Sequence, residues 1–200
     1  MRLGIFGGTF DPPHIAHLTL AEHALSNLDL DQVLWVLTSH PPHKRGQPIT
    51  PLKYRLEMLQ IAISDNPKFI LSRVDIDRPP PHYALETVRL LREENPKVEL
   101  IYLMGGDSLR DLDTWHKPVD FVSACDALGV ICRPGVEINL EDLESIIPGI
   151  TPKVQFVEAP LLEISASDIR KRIREGHPFS NLLPPAVHQI IQKKQLYHSQ

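Results

Sequence analysis

Two histidines close to the N-terminus are the first residues whose type and spacing suggest chemistry. His14 and His17 end the segment GGTFDPPHIAH, which joins a short apolar run to a stretch of helical period. Residues three apart lie on one face of a helix, so both imidazoles are expected to point at one ligand. The N–H groups and positive dipole end of a helix start favour a phosphate as that ligand. The alternative is that either histidine is only a helix cap or a surface residue.

The glycines of the same segment are a second indication of a phosphate site. Gly7 and Gly8 are expected to adopt positive φ angles and to let the backbone approach a ligand closely. A zinc site at the two histidines is less well supported, because no third ligand stands at a recognisable spacing. The chain contains neither G-x-G-x-x-G after the first strand nor a P-loop motif, which argues against a dehydrogenase or a P-loop kinase.

A second segment with hydroxyl and basic side chains lies far along the chain, at residues 163–172. Ser165 or Ser167 is expected to cap a helix there, and Ser165 with Asp168 has the spacing of a capping box. The basic residues in the first two turns of this helix are Arg170, Lys171, Arg172 and Arg174. Cations near a helix N-terminus oppose the dipole at a cost of roughly 0.3–1 kcal/mol each, and a bound phosphate would remove that conflict. The alternative is that they are solvated surface charges.

Both segments resemble motifs of the HxGH nucleotidyltransferase superfamily. GGTFDPPHIAHL is similar, in its GGTFDPPH form, to the bacterial nicotinate-nucleotide adenylyltransferases, and ISASDIR resembles the family's ISxTxIR motif. The resemblance implies that His14 and His17 bind the ATP phosphates and stabilise the transition state, with Arg170 as a third catalytic residue on the β- and γ-phosphates. The other ATP-binding residues that it implies here are Gly7, Gly8, Thr9, Phe10, Ser165 and Ser167. Ala16 replaces a glycine of the family pattern, and Ser167 replaces a threonine but keeps the hydroxyl.

Further segments extend the resemblance over nearly the whole chain. MGGD at 104–107 resembles a turn that lies along the adenosine, which assigns Gly105 and Asp107 to ATP binding, and PPHK at 41–44 adds Lys44. TWH at 114–116 resembles a segment whose aromatic residue, here Trp115, stacks on the nicotinate ring. The remaining mononucleotide-binding residues that the family implies are Ser39, Ala84, His116 and Arg133. Taken alone, Lys44 could be a mobile surface charge and Trp115 a packing residue.

The resemblance implies an enzyme that transfers the adenylyl group of ATP to nicotinate mononucleotide and releases pyrophosphate. Direct in-line attack is expected, and Mg²⁺ is expected to be held mainly by ATP phosphates and water. Nicotinamide mononucleotide and phosphopantetheine remain open as alternative acceptors, as does a non-catalytic nucleotide-binding module. The formal net charge of −4 argues against nucleic acid or an anionic membrane as a partner, and a homo-oligomer is left open.

Apolar, β-branched runs alternate with stretches of helical period along the chain. The expected strands are 2–6, 32–37, 69–75, 98–104, 127–132 and 153–157, and the expected helices are 15–27, 51–64, 83–94, 119–124, 139–147, 167–175 and 184–193. This order predicts an α/β fold, a Rossmann-like open parallel sheet with helices on both faces. Residues 1–160 are expected to form the nucleotide-binding core and 161–200 a small helical C-terminal extension packed on it, as a single domain overall. Ligands bind such sheets at the carboxyl ends of the strands, where the strand order reverses.

Length and cysteine content favour one cytoplasmic domain. Two hundred residues suit a single domain. The N-terminus MRLGIFGG has no signal-peptide features, and no apolar run approaches the roughly 18 residues that span a bilayer. Cys125 and Cys132 cannot build a disulfide framework and match no zinc spacing, so both are expected to be free, buried thiols of a reducing compartment.

Overall fold

The centre of the molecule is a six-stranded sheet. A computed structural model describes residues 1–41, 46–131, 138–160 and 162–198. The strands are β1 (Arg2–Gly8), β2 (Gln32–Leu37), β3 (Phe69–Ser72), β4 (Glu99–Gly105), β5 (Ala127–Ile131) and β6 (Val154–Val157). All neighbouring pairs are parallel, and the order across the sheet is β3-β2-β1-β4-β5-β6. The predicted Rossmann-like parallel sheet is therefore confirmed.

The third strand is shorter than the sequence pattern predicts. Apolar residues at alternate positions continue past Ser72, but β3 ends there. A turn follows, in which the N–H groups of Ile76 and Asp77 both donate to the Arg73 carbonyl oxygen, at 2.8 and 2.9 Å. The prediction of a strand to residue 75 is wrong because this turn leads the chain off the edge of the sheet.

Eight helices occur in the part of the chain that the structure describes. They are α1 (Ile15–Asn27), α2 (Leu52–Ile63), α3 (Ala84–Glu94), α4 (Gly106–Arg110), α5 (Pro118–Ala124), α6 (Leu140–Ile146), α7 (Ala166–Arg174) and α8 (Pro185–Lys194). The sequence predicts all of these except α4, which is too short to show an apolar period. No helix within the described ranges is long and apolar enough to cross a membrane.

Strand residues alternate between two apolar cores, one on each face of the sheet. One core contains Phe6, Trp35 and Leu103 together with buried residues of α1, α2, α7 and α8. The opposite core contains Ile5 and Tyr102 together with buried residues of α3, α4, α5 and α6. Helices therefore cover both faces, and the C-terminal helices share a core with the sheet. The division of the chain at residue 160 stays a prediction.

The strand order reverses at the centre of the sheet. β1 lies between β2 and β4, and the chain runs outward from β1 to β3 on one side and from β4 to β6 on the other. The loops that follow β1 and β4 therefore leave the carboxyl edge side by side, which is where open α/β sheets bind ligands.

Candidate active site

The glycines of the first loop are strand residues. Gly7 and Gly8 end β1, and neither adopts a positive φ, so that part of the prediction is wrong. Packing requires glycine at these positions instead. A Cβ at Gly7 would lie 2.8 Å from the Tyr102 hydroxyl oxygen, and one at Gly8 would lie 2.8 Å from the Phe10 ring. The absent side chains thus let Tyr102 and Phe10 approach the end of the strand.

The left-handed residue of this loop is Phe10, with a φ of 45°. Non-glycine residues in this region carry a steric cost and are often found at functional sites. The Phe10 side chain is buried, and its ring packs against Phe6 and Trp35 with centroids 5.7 and 5.3 Å away. It also meets the His17 ring edge-on at 5.1 Å. Phe10 therefore supports His17 from the core, and only its backbone can face a nucleotide.

His14 and His17 meet at the start of α1. Their rings stack with centroids 3.6 Å apart and planes inclined by 20°. His14 is the N-cap residue with an extended backbone, and its N–H donates to Nδ1 of His17 at 3.2 Å. Because Nδ1 accepts this bond, neutral His17 carries its proton on Nε2. The bond to Nδ1 therefore orients the His17 side chain, and in the neutral ring Nε2 is the hydrogen-bond donor.

The two motif segments converge in the structure. Nη1 of Arg170 in α7 donates to the Asp11 carbonyl oxygen at 2.7 Å, although the two residues are 159 positions apart. This bond brings the start of α7 beside the loop that leads to the histidines. It uses one of the five N–H donors of the guanidinium, so other donors can serve a phosphate.

Two hydroxyl groups lie together at the start of α7. Ser165 is the N-cap, as the capping pattern predicts, and its Oγ accepts the Asp168 N–H at 3.0 Å. Its Oγ is also 3.0 Å from the Oγ of Ser167. Both hydroxyls therefore belong to the helix end that Arg170 connects to the loop.

The basic residues of α7 do not act as one cluster. Arg172 forms an ion pair with Asp168 at 2.8 Å. Lys171 and Arg174 are exposed, which agrees with the surface-charge alternative. Arg170 is the member of this group that reaches the loop after β1.

A buried arginine in α2 connects the loops around the site. Arg55 is 2% exposed, and its guanidinium donates to four backbone carbonyl groups. The acceptors are Thr9 (3.0 Å), Thr38 (2.9 Å), Ser39 (2.8 Å) and Thr50 (2.9 Å). They belong to the loop after β1, the loop after β2 and the segment before α2. Burial lowers the pKa of Arg55, while the nearby Asp11 carboxylate acts in the opposite direction and favours the charged form.

The Asp11 carboxylate makes a second connection between these segments. The residue is 4% exposed. Its Oδ2 accepts the Thr50 N–H at 3.1 Å, and its Oδ1 accepts the Tyr197 hydroxyl at 2.7 Å. Asp11 thus contacts α7 through its carbonyl group and the C-terminal end of the chain through its carboxylate.

The predicted stacking residue Trp115 is half-buried beside the second core. Its ring meets Tyr102 at 6.1 Å and Phe121 at 5.3 Å between centroids. The Tyr102 hydroxyl faces Gly7, so one tyrosine of β4 contacts both the glycine strand end and the tryptophan. Burial raises the pKa of Tyr102, which keeps its hydroxyl protonated. Trp115 therefore packs in part, as the alternative predicts, and keeps part of its ring accessible.

His116 and Ala84, both predicted to contact the mononucleotide, lie in adjacent segments. The exposed His116 ring stacks on Tyr83 with centroids 4.0 Å apart and planes inclined by 19°. Tyr83 is the N-cap of α3, and Ala84 is its first helical residue. The segment 114–116 is thereby held against the start of α3, where N–H groups and the dipole favour an anionic group.

The hydroxyl of Ser39 is used inside the protein. Ser39 is buried, and its Oγ donates to the Asp75 carbonyl oxygen at 2.8 Å and lies 3.3 Å from Nε2 of His82. Its own carbonyl accepts from Arg55. The side chain therefore links the loop after β2 to the segment 75–82.

Four further residues were predicted to bind the substrates, and they are Gly105, Asp107, Lys44 and Arg133. Gly105 is exposed at the end of β4, with open space where a Cβ would stand. Asp107 is exposed and pairs with Arg110 at 3.2 Å. Lys44 and Arg133 lie outside the described residues.

The described ranges contain no group of three or more His, Cys, Asp or Glu side chains that could hold a metal ion. Cys125 is a free, buried thiol, as predicted, and burial raises its pKa to about 12. A thiol with so high a pKa carries almost no thiolate at neutral pH. Cys132 lies outside the described residues.

Sequence reasoning missed three residues that hold the site together. Arg55 precedes Met58 and Leu59 by three and four positions on the buried face of α2. An arginine at an apolar position of a helical pattern indicates a buried charge that needs partners. Asp11 stands within the GGTFDPPH motif, but its carboxylate belongs to no recognisable sequence pattern. Tyr197 gives no local signal, because its partner is 186 positions away.

Comparisons with known proteins agree with this geometry. The cytidylyltransferase-like family model matches residues 5–172. A probable nicotinate-nucleotide adenylyltransferase of Thermomicrobium roseum is 46% identical over 99% of this chain and 92% of its own length. Another, of Thermus thermophilus, is 38% identical over 98% of this chain and 100% of its own length.

A solved structure has the same fold. The nicotinic acid mononucleotide adenylyltransferase of Plasmodium falciparum, complexed with NaAD, is similar with a TM-score of 0.81 and 22% identity, over 98% of this chain and 97% of that one. The family match includes both histidines and Arg170, and the curated relatives extend over nearly the whole chain. The chain belongs to the cytidylyltransferase-like family and, within it, to the nicotinate-nucleotide adenylyltransferases.

Proposed function

We propose that this chain transfers the adenylyl group of ATP to nicotinate mononucleotide, which gives nicotinate adenine dinucleotide and pyrophosphate. The observation that carries the proposal is the hydrogen bond from Arg170 to the Asp11 carbonyl, because it joins both motif segments at one edge of the sheet. Membership in the nicotinate-nucleotide adenylyltransferases supports this reaction over adenylyl transfer to other acceptors.

The reaction depends on positioning and charge stabilisation more than on a protein nucleophile. An oxygen of the mononucleotide 5′-phosphate forms a bond to the α-phosphorus of ATP. The bond from that phosphorus to the oxygen bridging to the β-phosphate breaks, and its electron pair leaves with pyrophosphate. Donors that meet this growing negative charge lower the barrier.

The histidine pair and the start of α7 are the proposed donors. His17 would donate through Nε2, the nitrogen opposite the one that accepts the His14 N–H. The His14 ring, stacked at 3.6 Å, would face the same phosphates. Arg170 and the two neighbouring serine hydroxyls would approach from α7, on the side of the leaving pyrophosphate. Backbone groups of residues 7–10 would line the remaining side of the triphosphate.

We propose that Mg²⁺ enters with ATP and is held by phosphate oxygens and water. The described residues supply no cluster of ligands, and both carboxylate oxygens of Asp11 accept hydrogen bonds from the protein. Such surroundings fit an ion that keeps most of its water ligands. When bound, the ion would neutralise part of the triphosphate charge.

Trp115 and the start of α3 are proposed to select the mononucleotide. The accessible part of the indole would stack on the nicotinate ring. The nicotinate carboxylate is an anion, which suits the N–H groups at the start of α3 near His116. A carboxamide would bring an NH₂ donor that these N–H groups cannot accept, so the arrangement favours nicotinate over nicotinamide.

We also propose a cytoplasmic location. Cys125 is a free thiol in the second core. Free thiols are typical of proteins in reducing compartments.

Pyrophosphate release from ATP tests the proposal, with nicotinate mononucleotide, nicotinamide mononucleotide or phosphopantetheine as acceptor. We expect kcat/KM to be higher for nicotinate mononucleotide than for either alternative by about tenfold or more, equivalent to about 1.4 kcal/mol of selective binding. A preference for another acceptor would overturn the substrate assignment. Binding of ATP with no turnover of any acceptor would instead indicate a nucleotide-binding module.

A further inference from the structure

We infer that Tyr197, close to the C-terminal end of the chain, is a positioning residue that holds the histidine-bearing loop through the carboxylate of Asp11. The Tyr197 hydroxyl donates to Oδ1 of Asp11 at 2.7 Å. The inference rests on the proposed function, since it assigns a role in that reaction to the last described turn of the chain.

The end of the chain is bent toward this contact. Helix α8 ends at Lys194, and the next residues include two with left-handed backbones, Gln195 (φ 52°) and Tyr197 (φ 68°). Leu196 between them is buried in the core that also contains α1 and α2. Non-glycine residues carry a steric cost in this conformation, so their surroundings must stabilise it. The hydrogen bond to Asp11 and the burial of Leu196 are the contacts that do so.

The hydroxyl group lies among the groups that organise the loop. Burial, followed by the Asp11 carboxylate, raises the pKa of Tyr197, so the phenol remains a hydrogen-bond donor. A hydrogen bond with Thr50 and the charge of Arg170 lower the pKa of Tyr197 by smaller amounts. Arg170 donates to the carbonyl group of Asp11 and Tyr197 donates to its carboxylate, so both residues hold the same position of the loop.

Asp11 connects Tyr197 to the loop that leads to His14. Its carboxylate is held by Thr50 and Tyr197 and its carbonyl by Arg170. The two residues that follow are prolines, whose nitrogens carry no hydrogen and cannot donate to the surrounding structure. The carboxylate of Asp11 is thus an anchor of the loop immediately before His14. Loss of the tyrosine hydroxyl would remove the donor from one oxygen of a carboxylate that is 4% exposed, and the loop would shift.

A small shift of this loop is expected to lower the rate of the reaction as well as the stability of the protein. A displacement of about 1 Å at a reacting group can lower a rate by about two orders of magnitude. The phenyl ring, by contrast, contributes packing, which Tyr197→Phe keeps. The variant therefore separates the hydroxyl from the bulk of the side chain.

Tyr197→Phe is the test, with Tyr54→Phe as the matched control. Tyr54 in α2 packs against the same core, and its hydroxyl makes no hydrogen bond to the described residues. We expect kcat to fall about tenfold in Tyr197→Phe, with the KM for nicotinate mononucleotide within about twofold of the wild type. Thermal melting should show Tyr197→Phe to be folded at the assay temperature, with a Tm several degrees below that of Tyr54→Phe, because a buried carboxylate oxygen loses its donor. In the ligand-free protein, the imidazole NMR signals of His14 and His17 should shift in Tyr197→Phe alone.

Two outcomes would overturn the inference. One is a kcat that matches the control, and the other is a set of His14 and His17 signals that do not move. The NMR measurement needs no substrate. It therefore tests the role of Tyr197 even if the wild-type protein shows no turnover and the proposed reaction is rejected. Asp11→Ala gives a further check, because adding Tyr197→Phe to it should lower kcat no further. A further fall in kcat when Tyr197→Phe is added to Asp11→Ala would show that Tyr197 does not act through Asp11.

Discussion

Arg170 in α7 donates a hydrogen bond of 2.7 Å to the backbone carbonyl of Asp11. The acceptor is a neutral group, so the contact fixes the guanidinium without neutralising its charge. The Asp11 carboxylate is turned to Thr50 and Tyr197 instead. Arg170 is thus anchored and still able to attract an anionic ligand to the loop after β1.

Arg170→Ala should lower kcat/KM for ATP by at least about a hundredfold, the scale of one lost donor to a developing negative charge. Arg170→Lys should recover only part of this loss, because an ammonium group cannot bond to Asp11 and to a phosphate in the same geometry. Steady-state pyrophosphate release at varied ATP measures both effects. Arg174→Ala is the control, since Arg174 is exposed on the same helix and should leave kcat/KM unchanged. Equal losses in Arg170→Ala and Arg174→Ala would reject the assigned role.

Arg55→Met should destabilise the protein by about 3 kcal/mol, because four backbone carbonyls would lose a charged donor. For a chain of this length that corresponds to a fall in Tm of about 6–12 °C. Arg55→Lys should recover little of it, since one ammonium cannot reach all four acceptors. Lys53→Met, at an exposed position of the same helix, is the control for thermal melting. A Tm equal to that of the control would show that Arg55 does not hold these loops.

Gly7→Ala should lower stability by about 1–3 kcal/mol, because the new methyl group would lie 2.8 Å from the Tyr102 hydroxyl oxygen. The next nearest atom of that side chain is the ring carbon Cζ, at 3.7 Å. Tyr102→Phe removes the oxygen and should therefore make Gly7→Ala nearly neutral. Chemical denaturation of the two single variants and the double variant measures this coupling. Additive effects would mean that a group other than the Tyr102 hydroxyl excludes the methyl group.

Trp115→Ala should raise KM for nicotinate mononucleotide about tenfold and leave KM for ATP nearly unchanged, because stacking on a base contributes about 1–3 kcal/mol. Trp115→Phe should lie between the wild type and Trp115→Ala, since it keeps a smaller aromatic face. Initial rates with each substrate varied in turn provide the comparison. An equal rise in both KM values would argue for a general packing role, consistent with the contacts to Tyr102 and Phe121.

The elements that carry local periodicity were predictable from the sequence. Strands such as β1 and β4 appear as continuous apolar runs because both faces of the sheet are covered. The spacing of three predicted that His14 and His17 meet, although they do so as the N-cap and the third residue of the helix rather than as two helical residues. The cap at Ser165 follows from a hydroxyl with a donor three positions later.

Features that depend on tertiary contacts were not predictable. The positive φ was expected at Gly7 and Gly8 but occurs at Phe10, because the aromatic ring gains a place in the core that offsets the backbone cost. The Ser39 hydroxyl turns inward to Asp75, a partner 36 positions away. Contacts of this range leave no periodic pattern, so only the folded chain reveals them.

The turnover of His17→Ala measures whether His17 stabilises the transition state. Nε2 of His17 is the proposed transition-state donor, held in place by the bond from the His14 N–H to Nδ1. We expect kcat for pyrophosphate release from ATP and nicotinate mononucleotide to fall by about 10²–10⁴, while thermal melting shows an intact fold. Turnover at the wild-type rate in a folded His17→Ala protein would contradict it.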